Sequence, residues 1–349
     1  MSLTNPPLII TPLIIKQYGT RLSLKGERLI IDDKQQIREI PLMDLHTIFV
    51  EREQMSITGP LIKKLAEYGI SLFFINFKGK IYSQLSSPQH EKHLSVRKAQ
   101  YKATENALGC TIAHQIINSK IESQWVHIKQ IKRIRNLTDE QQDVITESVN
   151  KLKQHLETSR AINICDLNLL RPKLLNIEAQ AARQYWKALQ QVIPKHLDFT
   201  HRAKQDAEDP VNQMLNYGYS ILFGLVNRYA SEVGLDTACG FIHADHDHRD
   251  SLVCDLMELL RIRFVDRIML KLILRYHDAE LQEEKYLNSF IRKKLALTLI
   301  DGLQAPYLHF ENLQHALLKD IKSLQKSLKT SEYWLSSFQG DWLYKGNVA

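Results

Sequence analysis

Apolar positions along the chain change their period near residue 86. Before that point they come in short runs, residues 8–15, 20–24, 28–31, 36–42 and 46–50, separated by glycine, Asp-Asp and proline. Such punctuation marks turns between strands. One helix interrupts the series: Leu61, Ile62, Leu65 and Ala66 fall at helical spacing, with Thr58 suited to the N-cap and Gly69 to the C-terminus. Residues 70–77, Gly79 and residues 81–85 then read as a returning hairpin. Beyond a polar stretch with a proline at residues 86–91, apolar residues recur three and four apart. They do so over residues 96–108, 110–135, 139–157, 174–192, 210–232 and 251–277. The pattern predicts an α+β chain of two domains. A small β-rich N-terminal domain (1–86) precedes a linker (87–95) and a larger, mainly α-helical domain (96–349).

Composition supports this reading and narrows the setting. A length of 349 residues suits about two domains, and 44% hydrophobic with 24% charged residues excludes wholesale disorder or a fibrous repeat. The four cysteines, Cys110, Cys165, Cys239 and Cys254, form no CxxC pair, which points away from a disulfide framework or a thiolate zinc site and towards a reducing compartment. The N-terminus is apolar but lacks a basic leading region, and Pro6, Pro7 and Pro12 argue against a signal helix. No stretch reaches the roughly 20 uninterrupted apolar residues of a spanning helix, so a cytoplasmic protein with no membrane partner is expected. A net charge of +7 and a pI near 9.0 favour anionic partners without naming one. Lys120, Lys129, Lys132, Arg133 and Arg135, and later Arg292, Lys293 and Lys294, cluster on helices. These read as solvated faces unless a site lies beside them.

The stretch 240–266, GFIHADHDHRDSLVCDLMELLRIRFVD, carries the most chemistry. An apolar run ends at His243, a polar loop follows, and a helix begins at Asp250 or Ser251, either of which could cap it. Asp255 and Glu258 lie three apart on that helix and so share a face, among Leu252, Val253, Leu256, Met257, Leu259 and Leu260. Carboxylates in so apolar a setting need a partner. One solution is an ion pair with Arg261 or Arg263, or a place for Asp255 near the positive helix end. The other is a divalent ion, since oxygen ligands with one imidazole suit Mn²⁺ or Mg²⁺ in a site open to phosphate. The loop residues His243, Asp245, His246, Asp247 and His248 offer a third possibility, a zinc cluster. Their HxDHxH spacing fits the dinuclear hydrolase pattern poorly.

Two other segments stand out. In NIEAQAARQYW (176–186), Glu178 follows Ile177 and precedes the small residues Ala179, Ala181 and Ala182, which permit close approach. Taken alone, Glu178 also reads as a surface charge. In DPVNQMLNYGYSIL (209–222), Asp209 and Pro210 suit a helix start, and Tyr217 and Tyr219 flank Gly218 in what reads as a tightly packed core helix.

Together and in this order, the three segments resemble the CRISPR-associated spacer integrase, the Cas-one family. The resemblance rests on Glu178, Arg183 and Tyr185; on Asp209, Pro210, Asn212, Leu215, Asn216, Tyr217, Gly218 and Tyr219; and on Gly240 to His243, Ser251, Leu252, Asp255 to Glu258 and Arg261. It covers nearly the whole chain, with VRKAQY (96–101) similar to the start of the family's helical domain. The chain departs from the family in its His-rich loop and in Ile262, where the family often has proline. The resemblance implies Glu178, His243 and Glu258 as ligands of Mg²⁺ or Mn²⁺, with Asp255 joining them in the catalytic set. It further implies integration of short DNA fragments into a CRISPR repeat by strand transfer, a metal-dependent endonuclease activity, a homodimer that uses the β-rich domain, and a small companion protein, Cas-two. A catalytically silent DNA-binding scaffold and a zinc hydrolase using residues 243–248 are the rival readings. The tail aromatics Tyr333, Trp334, Trp342 and Tyr344 are expected to pack on the helical domain.

Overall fold

The computed structural model describes residues 11–338 apart from 52, 77–78, 88–92, 205–206, 244–248, 277–280, 284–285 and 308–309. The chain divides into two compact units, residues 1–92 and 93–349. Strands fill the first and helices dominate the second, an α+β arrangement.

The first unit has two four-stranded sheets. In one, β1 (Thr11–Ile15), β5 (Leu45–Val50) and β7 (Ser71–Ile75) run parallel in the order β1-β5-β7, and β8 (Ile81–Leu85) returns antiparallel to β7. All six residues of β5 are buried, as expected of a central parallel strand covered on both faces. The other sheet has the order β4-β3-β2-β6, from β2 (Arg21–Lys25), β3 (Arg28–Asp32), β4 (Ile37–Pro41) and the short β6 (Ser56–Ile57). The α-helix α1 (Gly59–Glu67) follows the N-cap residue Thr58, whose side chain makes no capping bond. Leu61 and Leu65 of α1 join Leu22, Leu29, Ile31, Ile48 and Leu72 in one core.

In the second unit, α2 (Leu94–Thr104) precedes three long helices packed on one another: α3 (Ala107–Ile134), α4 (Asp139–Ala161) and α5 (Leu167–Gln190). Side-chain caps start several helices: Asn106 for α3, Thr138 in a capping box for α4, and Asp166 for α5. Helix α5 begins earlier than its periodicity after Pro172 predicts. Burial of Leu167, Leu170 and Leu174 along one face outweighs the hydrogen bond that the proline removes. Helix α6 (Pro210–Glu232) starts as expected, with Asp209 accepting from Asn212 N at 2.8 Å and Pro210 at its first position. It is buried almost all round.

The expected continuous helix over 251–277 is instead three pieces: α7 (Ser251–Met257), a π-helical segment (Arg261–Asp266) and α8 (Arg267–Arg275). The wider turn lies against α6, where a Cβ on Gly218 would stand 2.5 Å from Val265 Cγ1. Helices α9 (Ser289–Gln304) and α10 (Leu313–Thr330) complete the unit. After α10, Trp334 is buried and donates to Ser323, and Phe338 is fully enclosed, whereas Tyr333 is exposed. Trp342 and Tyr344 lie outside the described residues. None of the four cysteines is in a disulfide. Among the described residues, no helix is long and apolar enough to cross a membrane.

Candidate active site

The segment leading to His243 is held by charges of both signs. Gly240 permits the turn, since a Cβ there would lie 2.8 Å from the His243 carbonyl and 2.9 Å from Ser251 Cβ. Asp255, fully buried on α7, accepts from the backbone N–H of Phe241 at 2.6 Å, Ile242 at 2.9 Å and His243 at 3.0 Å. From the other side Arg171 of α5 donates to the carbonyls of Gly240 at 2.8 Å and Phe241 at 2.9 Å. Asp255 also receives His243 Nδ1 at 2.6 Å. A carboxylate only accepts, so Nδ1 donates, and Nε2 is the ring nitrogen that could hold a ligand. The expected Asp250 cap is not made; its Oδ1 accepts from Thr237 Oγ1 at 2.6 Å instead.

Glu258 closes α7. Its Oε2 is 2.7 Å from the Lys120 ammonium of α3, and its Oε1 is 3.4 Å from Arg261 Nε. Lys120 also donates to Glu178 of α5 at 2.5 Å, so one ammonium bridges two carboxylates from different helices. Burial would raise the Glu258 pKa, but Arg261 and Lys120 outweigh it and hold the carboxyl down to about 2. Burial disfavours the charged form of Lys120, yet Glu258 and Glu178 hold its pKa above the ordinary lysine value. Glu258 Oε2 is buried, and the Lys120 ammonium is the charge that answers it.

Glu178, Lys120, His243, Glu258 and Arg261 line one cleft of about 220 Å³. This is room for several waters, or for an ion with waters beside a phosphate group. Arg202 and Lys204 also line it. Tyr219 of α6 stacks between Arg202 at 5.2 Å and Arg261 at 4.8 Å, and its hydroxyl donates to Asp266 at 2.6 Å. Tyr185 donates to the other oxygen of Asp266 at 2.9 Å and stands 3.0 Å from His127 Nδ1. Burial pushes Asp266 up to about 6 against the pull of both phenols, and pushes His127 down to about 3. The cleft floor is thus a buried polar chain whose members answer one another.

The sequence pattern described as CRISPR associated protein Cas1 matches residues 13–299. The chain belongs to the Cas1 family. It is 30% identical, over 274 residues, to a CRISPR-associated endonuclease Cas1 of Archaeoglobus fulgidus, covering 75% of this chain and 77% of that one. Its fold is that of a casposase bound to integration product, with TM-score 0.75 at 21% identity, covering 95% and 94% of the two chains. It also matches a chain of a Cas6-RT-Cas1–Cas2 complex, with TM-score 0.77 at 20% identity, covering 97% of this chain and 36% of the longer one.

In this Cas1-family chain, three of the four expected site residues meet in one cleft and the fourth stands behind them. Asp255 and Glu258 do not serve one ligand, although they sit three apart. Asp255 is engaged by the loop and by His243, while Glu258 has the expected pairing with Arg261 and an unexpected one with Lys120. Arg263, the other expected partner, bonds Ser123 at 2.8 Å instead. Among the described residues, no three His, Cys, Asp or Glu side chains form a ready metal cluster. Lys120 stands between the two glutamates. Asp245, His246, Asp247 and His248 lie outside the described residues, and with them most of the candidate zinc cluster. Reading the sequence missed Lys120 as a site residue, together with Arg202, Lys204 and Asp266. Asp266 carried a signal, being a further carboxylate at the end of the same apolar stretch.

Proposed function

We propose that this chain is a metal-dependent DNA integrase and endonuclease of CRISPR adaptation, and that Glu178, His243 and Glu258 hold its Mg²⁺ or Mn²⁺ ion. The observation that carries the reading is the convergence of these three side chains from separate elements on one cleft lined by cationic side chains. The donor set fits the ion. It has two carboxylates and one imidazole nitrogen, and a cation is already drawn between the carboxylates.

When bound, such an ion supplies Lewis-acid polarisation of a phosphodiester and charge stabilisation on the departing oxygen. The protein's own groups do the rest. Asp255 fixes the His243 ring through Nδ1 and so acts as a positioning residue. Arg202, Lys204 and Arg261 offer cationic donors to the phosphate oxygens. A 3′-hydroxyl of a short DNA fragment attacking the repeat phosphodiester in line gives strand transfer, and water in its place gives hydrolysis. The partners proposed are DNA, a second copy of this chain and a Cas2 protein such as the one in the matched complex. The β-rich unit is assigned to dimerisation and DNA contact, and the compartment is the cytoplasm.

Replacing Glu178 or His243 by alanine is expected to abolish strand transfer while leaving DNA binding largely intact. Undiminished transfer in either variant would overturn the site assignment. Metal rescue tests the ion: activity of a chelated sample restored by Zn²⁺ but not by Mn²⁺ or Mg²⁺ would count against this reading.

A further inference from the structure

Lys120 occupies the position that matters most to a metal. Its ammonium is 2.5 Å from Glu178 and 2.7 Å from Glu258, and the side chains are only 12%, 19% and 5% exposed. At such distances an ammonium and a divalent ion compete for the same carboxylate oxygens. Without a cation, however, the two carboxylates would face each other out of water, which is costly. We propose, resting on the functional reading above, that Lys120 is a built-in counter-cation. It holds Glu178 and Glu258 together in the metal-free protein and is displaced from them when the metal binds.

Charge balance gives the displacement a purpose. With Lys120 and Arg261 both beside Glu258, a divalent ion added to the cleft leaves it with an excess of positive charge. A DNA phosphodiester is the anion that removes this excess. Lys120 therefore weakens metal binding in the absence of DNA and couples it favourably to DNA. By linkage, the ion strengthens DNA binding at the site by the same factor. Lys120 acts here as a positioning residue, through the carboxylates it holds.

The test is Mn²⁺ affinity, read from the free-ion electron paramagnetic resonance signal at one near-neutral pH without DNA. Wild type, Lys120→Met, Lys120→Arg and His243→Ala proteins are compared. Removing the competing charge should tighten Mn²⁺ binding by about tenfold or more, the scale of coupling between close buried charges. Lys120→Arg, which keeps the charge, should not tighten it. Adding DNA should strengthen Mn²⁺ binding more in wild type than in Lys120→Met. Metal-free Lys120→Met should also melt below wild type and gain more Tm from Mn²⁺, which keeps the proposal testable if that variant folds poorly. Equal or weaker Mn²⁺ binding by Lys120→Met, or an equal Tm gain, would overturn the role of Lys120. Wild-type Mn²⁺ affinity in His243→Ala would instead overturn the metal site itself.

Discussion

Asp255 and Glu258 show how three residues of spacing separate two functions. Asp255 gathers three backbone N–H groups and the His243 ring, whereas Glu258 gathers cations. Asp255→Asn should therefore lower metal affinity by about 10- to 100-fold, as loss of a partner behind a ligating histidine does, and titration calorimetry with Mn²⁺ would show it. Unchanged affinity would mean that His243 orients itself. Asp266 carries a different consequence. Its pKa is raised from an ordinary 3.8 to about 6, so the folded state holds its proton more tightly than the unfolded chain. That contribution to stability is fully present below about 3.8 and is lost as pH rises through about 6. Urea unfolding should show less stability gained between pH 7 and pH 5 in Asp266→Asn than in wild type, with Asp320, also raised to about 6, supplying part of the remainder. An identical pH profile in the variant would contradict the assignment. Apolar neighbours made the need of Glu258 for a partner legible in the sequence. Arg261 was legible as one charge that answers it, but Lys120 was not, because it arrives from a helix far away in the chain and a lysine carries no mark of being buried.

Most helices were legible because capping and period agree: Asp209 and Pro210 open α6 where the pattern places them. The break in 251–277 was not legible, since no proline or glycine interrupts that stretch. Its cause is tertiary. The π-helical turn sets Val265 on Gly218 and brings Asp266 under Tyr219. Gly218→Ala should thus destabilise the protein by about 1–3 kcal/mol, the usual cost of overpacking. Adding Val265→Ala should recover part of that loss in the same denaturant titration. A neutral Gly218→Ala would show that the two elements can part without penalty.

For the whole molecule, the change of hydrophobic period separates a β-rich unit from a helical one, and the architecture follows the sequence closely. The net charge of +7 named no partner, because a basic surface attracts any polyanion. On the proposed function, that polyanion is DNA. DNA affinity should then fall with salt, and neutralising exposed Lys129 should reduce the slope of log affinity against log salt by about 0.9 if it contacts a phosphate. In the proposed reaction, Glu178, His243 and Glu258 hold the ion that strand transfer needs. The most direct measurement is the yield of joined product when a labelled 3′-hydroxyl DNA fragment, repeat DNA and a Cas2 partner are incubated in Mn²⁺ with wild-type or Glu258→Gln protein at matched DNA occupancy. Product from wild type and background from Glu258→Gln is the predicted result; equal product from both would contradict the account.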